Sequence, residues 1–99
     1  MKFDDFWNLL VLELSTPKQF VTTTKSFSAK YLGGRIMVST TDTVWPIDRS
    51  AIRQIWNKAL STHEKMRFIH TTYSHENIRT SSYIISLMKH FIVDEAKIE

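Results

Sequence analysis

Apolar side chains recur along this chain with two periods, and the switches between them mark its elements. Phe3, Phe6, Trp7, Leu10 and Leu14 follow helical spacing, and Asp4 and Asp5 stand in the first turn, where the positive end of the helix dipole favours carboxylates. The pattern predicts a helix over 3–14. Leu9, Val11 and Leu12 widen its stripe beyond one face, so the helix is expected to be buried on several sides or shared with a second copy. Thr16-Pro17-Lys18-Gln19 has the form of a capping box with proline at the first helical position, which predicts a short second helix over 17–23.

Period two replaces this pattern around Gly33 and Gly34, the only glycines in the chain. A two-residue Gly-Gly loop permits positive φ at both positions, as the hairpin turn that matches strand twist requires. Leu32 and Arg35 should therefore flank the turn. Counting back, Tyr31 faces Ile36, Ala29 faces Val38 and Phe27 faces Thr40, while Lys30 meets Met37 and Ser28 meets Ser39 on the other side. One face is apolar and the other mostly polar, and a slip of one residue would destroy that division. Asp42 falls in a second turn, and residues 43–47 offer a third strand. Pro46 cannot donate to a ladder, so that strand belongs at an edge.

Helical spacing returns with Ile52, Ile55, Trp56, Ala59 and Leu60, behind Asp48 or Ser50 as the cap. Residues 62–73 carry mixed signals, a capping-box spacing at Ser61 to Glu64 and then a strand-like alternation, with the start leaning to helix. From about Ile78, the residues Tyr83, Ile84, Leu87, Met88, Phe91 and Ile92 line one side of a last helix that ends near Val93. The order implies a single α+β domain over 1–99. It is a small two-layer architecture whose antiparallel hairpin or three-stranded sheet, at about 26–47, is covered by N-terminal, middle and C-terminal helices. A winged helix fits poorly, since its hairpin usually follows the recognition helix and here it precedes the best one.

Composition narrows the chemistry. A chain of 99 residues hides roughly 60 to 65% of its unfolded surface on folding, enough for one modest core. With no cysteine there are no disulfides, thiolate nucleophiles or cysteine zinc sites, and with one glycine pair there is no Gly-rich phosphate loop. We expect no cofactor and no bound metal. Acidic Asp4 and Asp5 and the short apolar run at Leu9 to Leu12 suit neither a signal peptide nor a membrane span, so a cytoplasmic protein is expected.

The net charge of +3 conceals a segregation. Residues 18–90 contain 11 basic and four acidic side chains, a local +7, while the 17 residues before and the nine after each sum to −2. A basic body between acidic ends suits a polyanionic partner, DNA or RNA. Within it, Arg49, Arg53 and Asn57 follow one another at i, i+4, i+8 on the middle helix, beside Gln54 and Lys58 and opposite the Ile/Trp stripe. Arg, Asn and Gln can form bidentate contacts with base edges, and Lys suits phosphates. Lys25, Lys30 and Arg35, on or beside the hairpin, are candidates for backbone phosphates.

The expected function is therefore a non-enzymatic nucleic-acid-binding module with no catalytic residues. The alternative is a small protein-interaction domain, an inhibitor or adaptor that meets an acidic protein surface. Its interface candidates are Phe6, Trp7 and Leu9 on an over-apolar first helix, which could pair two copies, and Trp45 at the sheet edge. His63-Glu64 and His75-Glu76 repeat a dipeptide with His70 between them, but no metal-ligand motif accompanies them. RNA cleavage through His70 or His75 is the third and lowest-ranked expectation.

Overall fold

The computed structural model describes residues 1–99. The elements run α1 (Phe3–Glu13), β1 (Lys18–Val21), β2 (Ser26–Leu32), β3 (Arg35–Ser39), β4 (Val44–Ile47), α2 (Arg49–Leu60) and α3 (Ser81–Ile92). Short 3-10 segments at Glu64–Met66 and His70–Glu76 join α2 to α3, and another, Glu95–Lys97, follows α3. The fold is α+β, with an antiparallel sheet in the order β1-β2-β3-β4 and the helices on its apolar face.

The Gly-Gly turn sets the sheet as expected. Gly33 and Gly34 have φ of 60° and 82°, and Leu32 pairs with Arg35, Tyr31 with Ile36, Lys30 with Met37, Ala29 with Val38 and Ser28 with Ser39. The ladder stops there, short of the expected pair of Phe27 with Thr40. Thr40 instead opens the next turn, its backbone N–H donating to the Thr43 carbonyl at 2.8 Å. β4 lies at the edge with Pro46 opposite Met37, where a missing N–H costs no ladder bond.

The short helix expected over 17–23 is a strand. Phe20 of β1 pairs with Phe27 of β2, and their rings stack at 5.5 Å in the core, so the sheet has four strands where two or three were expected. Two forces defeat the capping box, one from strand pairing and one local. Phe20 is buried by extending onto β2, and the threonines after it close a tight turn. The Thr22 N–H donates to the Lys25 carbonyl at 2.7 Å, and the Thr22 hydroxyl accepts from the Lys25 N–H at 3.0 Å. A threonine hydroxyl that bonds neighbouring backbone competes with helix in this way.

The buried side chains form one cluster. Trp56 of α2 is its largest member, stacked on Phe6 at 5.2 Å and edge-on to Phe3 at 5.9 Å, with its indole N–H donating to the Glu99 carbonyl at 2.9 Å. The α2 stripe is buried at Ile52, Ile55, Trp56 and Ala59, while Leu60 lies outside. Asp48 marks the start of α2, yet its carboxylate makes no cap and pairs with the Arg35 guanidinium at 2.8 Å. α3 packs on the sheet through Tyr83, whose ring meets Phe27 at 5.0 Å.

Residues 62–73 resolve into 3-10 turns with no strand, and Arg67 organises them from within. Its guanidinium donates to the carbonyls of Ala59 at 2.8 Å, Thr62 at 3.2 Å and Glu95 at 2.9 Å. Tyr73, fully buried, donates its hydroxyl to the Arg67 carbonyl at 2.7 Å. Burial pushes the Tyr73 phenol up to about 12, an effect partly offset by the Arg67 charge and reinforced by Glu76.

After α3 the chain reverses at Val93. With φ 68° and ψ −51°, and with the Asp94 N–H donating to the Ile92 carbonyl at 2.7 Å, Val93 centres a three-residue γ-turn of the strained type. The turn sends Ile98 back into the core beneath the carbonyls that Arg67 holds.

Candidate functional site

The polar face expected on α2 is occupied from within. The Arg49 guanidinium pairs with the Asp4 carboxylate at 2.9 Å and lies over the rings of Phe3 at 4.9 Å and Trp7 at 5.8 Å. Arg53 covers the other approach to Phe3, also at 4.9 Å. Both arginines therefore seal the seam between α1 and α2. The Gln54 side-chain amide donates to the Glu76 carbonyl at 3.0 Å, which ties α2 to the second 3-10 turn. Asn57 is exposed beside Arg53 and Trp56 at a shallow recess, and Lys58 is half-buried with no acidic partner.

The hairpin cations separate. Arg35 is held by Asp48, and Lys30 projects from the uncovered face of the sheet beside Met37. Lys25 points elsewhere, into a cleft beside α3. The eight candidates thus divide among α2 and its contacts with α1 and the second 3-10 turn, the hairpin and that cleft, and do not form one surface.

The interface candidates are mostly core. Phe6 is fully buried, Trp7 is half-buried with its ring edge-on to Tyr31 at 6.2 Å, and Leu9 is half-buried. The wide stripe of α1 is thus spent largely inside this chain. Its one fully outward leucine is Leu12, 71% exposed. Trp45 packs partly on the core from β4, where its inward register opposite Val38 places it, and the Arg79 guanidinium covers its ring at 5.0 Å.

A cleft of about 700 Å³ lies between the β1–β2 turn and α3. Val21 to Lys25 form one wall. Ser82, Tyr83, Ile85, Ser86, Lys89 and His90 form the other, and Phe68 and His70 complete the lining. None of its 14 lining residues is acidic. Lys25 and Lys89 contribute two ammonium groups, and neither takes part in any of the four salt bridges of the molecule. The volume lies within the range of small-ligand sites, and the lining mixes apolar and aromatic side chains with a larger number of hydroxyl and basic groups.

The polar atoms of the cleft differ in availability. The His70 Nε2 contacts the buried Ser81 hydroxyl at 3.2 Å, and the Ser86 hydroxyl donates to the Ser82 carbonyl at 2.9 Å. Tyr83 is only 7% exposed, and its hydroxyl makes no hydrogen bond within the protein. Since every buried side-chain N or O in the molecule has a partner, the exposed part of Tyr83 includes that oxygen. His90 stands at the rim, its ring edge-on to Phe20 at 4.9 Å and to Phe91 at 4.8 Å.

Of the cleft residues the sequence signals only Lys25 and His70, and those for different reasons. The rest come from β1 and the turn after it, largely read as helix, from Phe68 in the stretch with mixed signals, and from both sides of the α3 stripe. A hint was present: the polar positions of α3, Ser82, Ser86, Lys89 and His90, fall at i, i+4, i+7, i+8 and share a helix face. His75, the other nuclease candidate, is exposed on the second 3-10 turn and does not line the cleft. No three His, Asp or Glu side chains converge as a metal site would require, and no helix is long and apolar enough to cross a membrane. No protein-family model matches the chain, and no curated protein or solved structure is significantly similar to it.

Proposed function

We propose that the protein is a non-enzymatic nucleic-acid-binding module that contacts the phosphate backbone at the cleft between the β1–β2 turn and α3. The observation that carries this proposal is a concave site with two ammonium groups, two imidazoles and no carboxylate, in a molecule whose arginines are largely engaged by its own atoms. Cations without an internal partner keep their capacity to displace counterions from a polyanion, and those already paired lose most of it. Base readout by the face of α2 is not part of the proposal, because Arg49 and Gln54 are committed to Asp4 and Glu76. Contacts limited to phosphates position a strand without selecting its sequence.

The test is retardation or anisotropy with single- and double-stranded oligonucleotides across a salt series. The expected result is affinity that falls steeply with salt and varies little with sequence. Absence of binding to every nucleic acid at low salt would sink the proposal.

A second reading is an adaptor that pairs with another copy, or with an acidic protein surface, through α1. The observation that favours it is the outward Leu12, flanked by half-buried Leu9 and Val11. Sedimentation of wild type against Leu12→Lys decides it, and a wild-type monomer at high micromolar concentration removes it. Trp7 is unsuitable for that test, because Tyr31 and Arg49 both pack on it.

A further inference from the structure

We infer that the cleft is a pocket for one nucleotide, with its phosphate between Lys25 and Lys89 and its base on the aromatic floor, taken from a single strand or as a free nucleotide. The inference rests on the proposed nucleic-acid contact and names the unit that the cleft would accept. Four observations converge on it. The cleft is concave and large enough to enclose a ligand of drug size. A rim of phosphate-binding cations alone would need no such depth, since a duplex presents its phosphates on a convex surface and keeps its bases stacked inside.

The lining of the cleft also contains both cationic and aromatic groups. Lys25 ends the turn on one wall, and Lys89 sits one residue before His90 on the last turn of the other. Phe68 lines the cleft half-buried, packed partly on the core, and pairs with no other ring in the protein, whereas Phe20, Phe27 and Tyr83 are already engaged in ring contacts. An aromatic ring at the cleft surface that is not already paired with another ring can receive an unstacked base, and stacking of this kind tolerates any base.

The third observation is the Tyr83 hydroxyl. It belongs to a cleft-lining side chain otherwise buried in the core, has no hydrogen-bond partner within the protein and keeps some exposure to solvent. A phenol so placed offers a fixed donor or acceptor to a sugar hydroxyl or base edge, at no cost in side-chain ordering. Finally, the hydroxyls of Thr23, Thr24 and Ser82 line the walls without any internal hydrogen bond, and they add neutral donors beside the cations. The absence of any carboxylate in the lining means that nothing there repels a phosphate.

The pocket is tested by titrating the folded protein with adenosine monophosphate, with inorganic phosphate and with adenosine, following backbone amide resonances. Adenosine monophosphate should move the signals of residues 20–25 and 82–90 saturably, and each half of the molecule alone should move them far less. In parallel, oligothymidylate should bind about tenfold or more tightly than a duplex of equal length. Lys25→Ala with Lys89→Ala, both exposed positions, should weaken the mononucleotide by roughly tenfold. Phe68→Ala should abolish the preference for a single strand. His90→Ala, at an exposed position, should weaken that preference and serves as the second probe if the Phe68 variant fails to fold.

Mononucleotide shifts without oligonucleotide binding would keep the pocket, assign it to a free nucleotide and remove the nucleic-acid proposal. Salt-dependent oligonucleotide binding without mononucleotide shifts, and with no difference between Lys25→Ala and a Lys30→Ala control, would overturn the pocket and leave that proposal standing. Equal shifts from inorganic phosphate and from adenosine monophosphate would overturn it too, because the base would then contribute nothing.

Discussion

The polar face of α2 and the cleft beside α3 contain the same kinds of side chain in opposite circumstances. On α2, Arg49 and Arg53 lie over the Phe3 ring, Arg49 also pairs with Asp4, and Gln54 holds a backbone carbonyl. In the cleft, Lys25, Lys89 and the Tyr83 hydroxyl have no partner in the protein. The difference shows that residue type and helical spacing identify groups able to bind a ligand but do not say whether they are free. A guanidinium that already stacks on a ring and meets a carboxylate must give up those contacts before it can serve a phosphate. An ammonium on an open rim gives up only water.

The sharpest break of this comparison concerns the most deeply engaged cation. Arg67→Ala should lower stability by about 3 kcal/mol, since it removes the charge-assisted hydrogen bonds to the carbonyls of Ala59, Thr62 and Glu95. Chemical denaturation measures this directly, and a change near zero would place Arg67 back among the available cations.

Next in size is the pH dependence of the turn that Arg67 organises. The Tyr73 phenol is raised from 10.0 to about 12 in the folded protein, so the folded state holds this proton more tightly than the unfolded chain. Its contribution is fully present below about pH 10 and is lost as pH rises through about 12, a decline of roughly 2 to 3 kcal/mol. Denaturation at pH 9 and at pH 12 should show a larger fall in wild type than in Tyr73→Phe. Equal falls would mean that the phenol is not desolvated.

The two cation sets can then be set against each other. Lys25→Ala with Lys89→Ala should weaken nucleic acid by about 1.4 kcal/mol, a factor of ten, and leave the melting temperature nearly unchanged. Arg49→Ala with Arg53→Ala should do the reverse, with affinity almost preserved and stability reduced by about 1 kcal/mol through the lost ring contacts. If the α2 pair proved the more damaging to binding, the assignment of the two regions would be inverted. The smallest effect belongs to neither region. Val93→Gly relieves a β-branched residue at φ 68° on an exposed turn and should raise stability by about 1 kcal/mol in thermal melts.

The parts of this protein that were legible from its sequence are those set by neighbours along the chain. The Gly-Gly pair specifies a turn because positive φ is cheap only there, and the alternation beside it then dictates which side chains meet. The stripes of α1, α2 and α3 are visible for a similar reason, since one helix face must be buried whatever covers it. β1 was not legible. Its capping box is a genuine local signal, but pairing with β2 and the burial of Phe20 against Phe27 outweigh it, and neither is visible from residues 16–19. The candidate site was less legible still, because the cleft joins a turn near the start of the chain to a helix near its end.

The sequence alone thus determined the hairpin register, the buried helix faces and the surplus of positive charge between residues 18 and 90. Those follow from backbone sterics, from periodicity and from counting. Only the tertiary structure decided which of the charges are available. An ion pair, a ring contact or a carbonyl brought within reach by folding settles a cation inside the protein, and the sequence does not show which partners folding will bring. Lys25 and Lys89, without such partners and brought by the fold to one cleft, are the cations on which the proposed site rests.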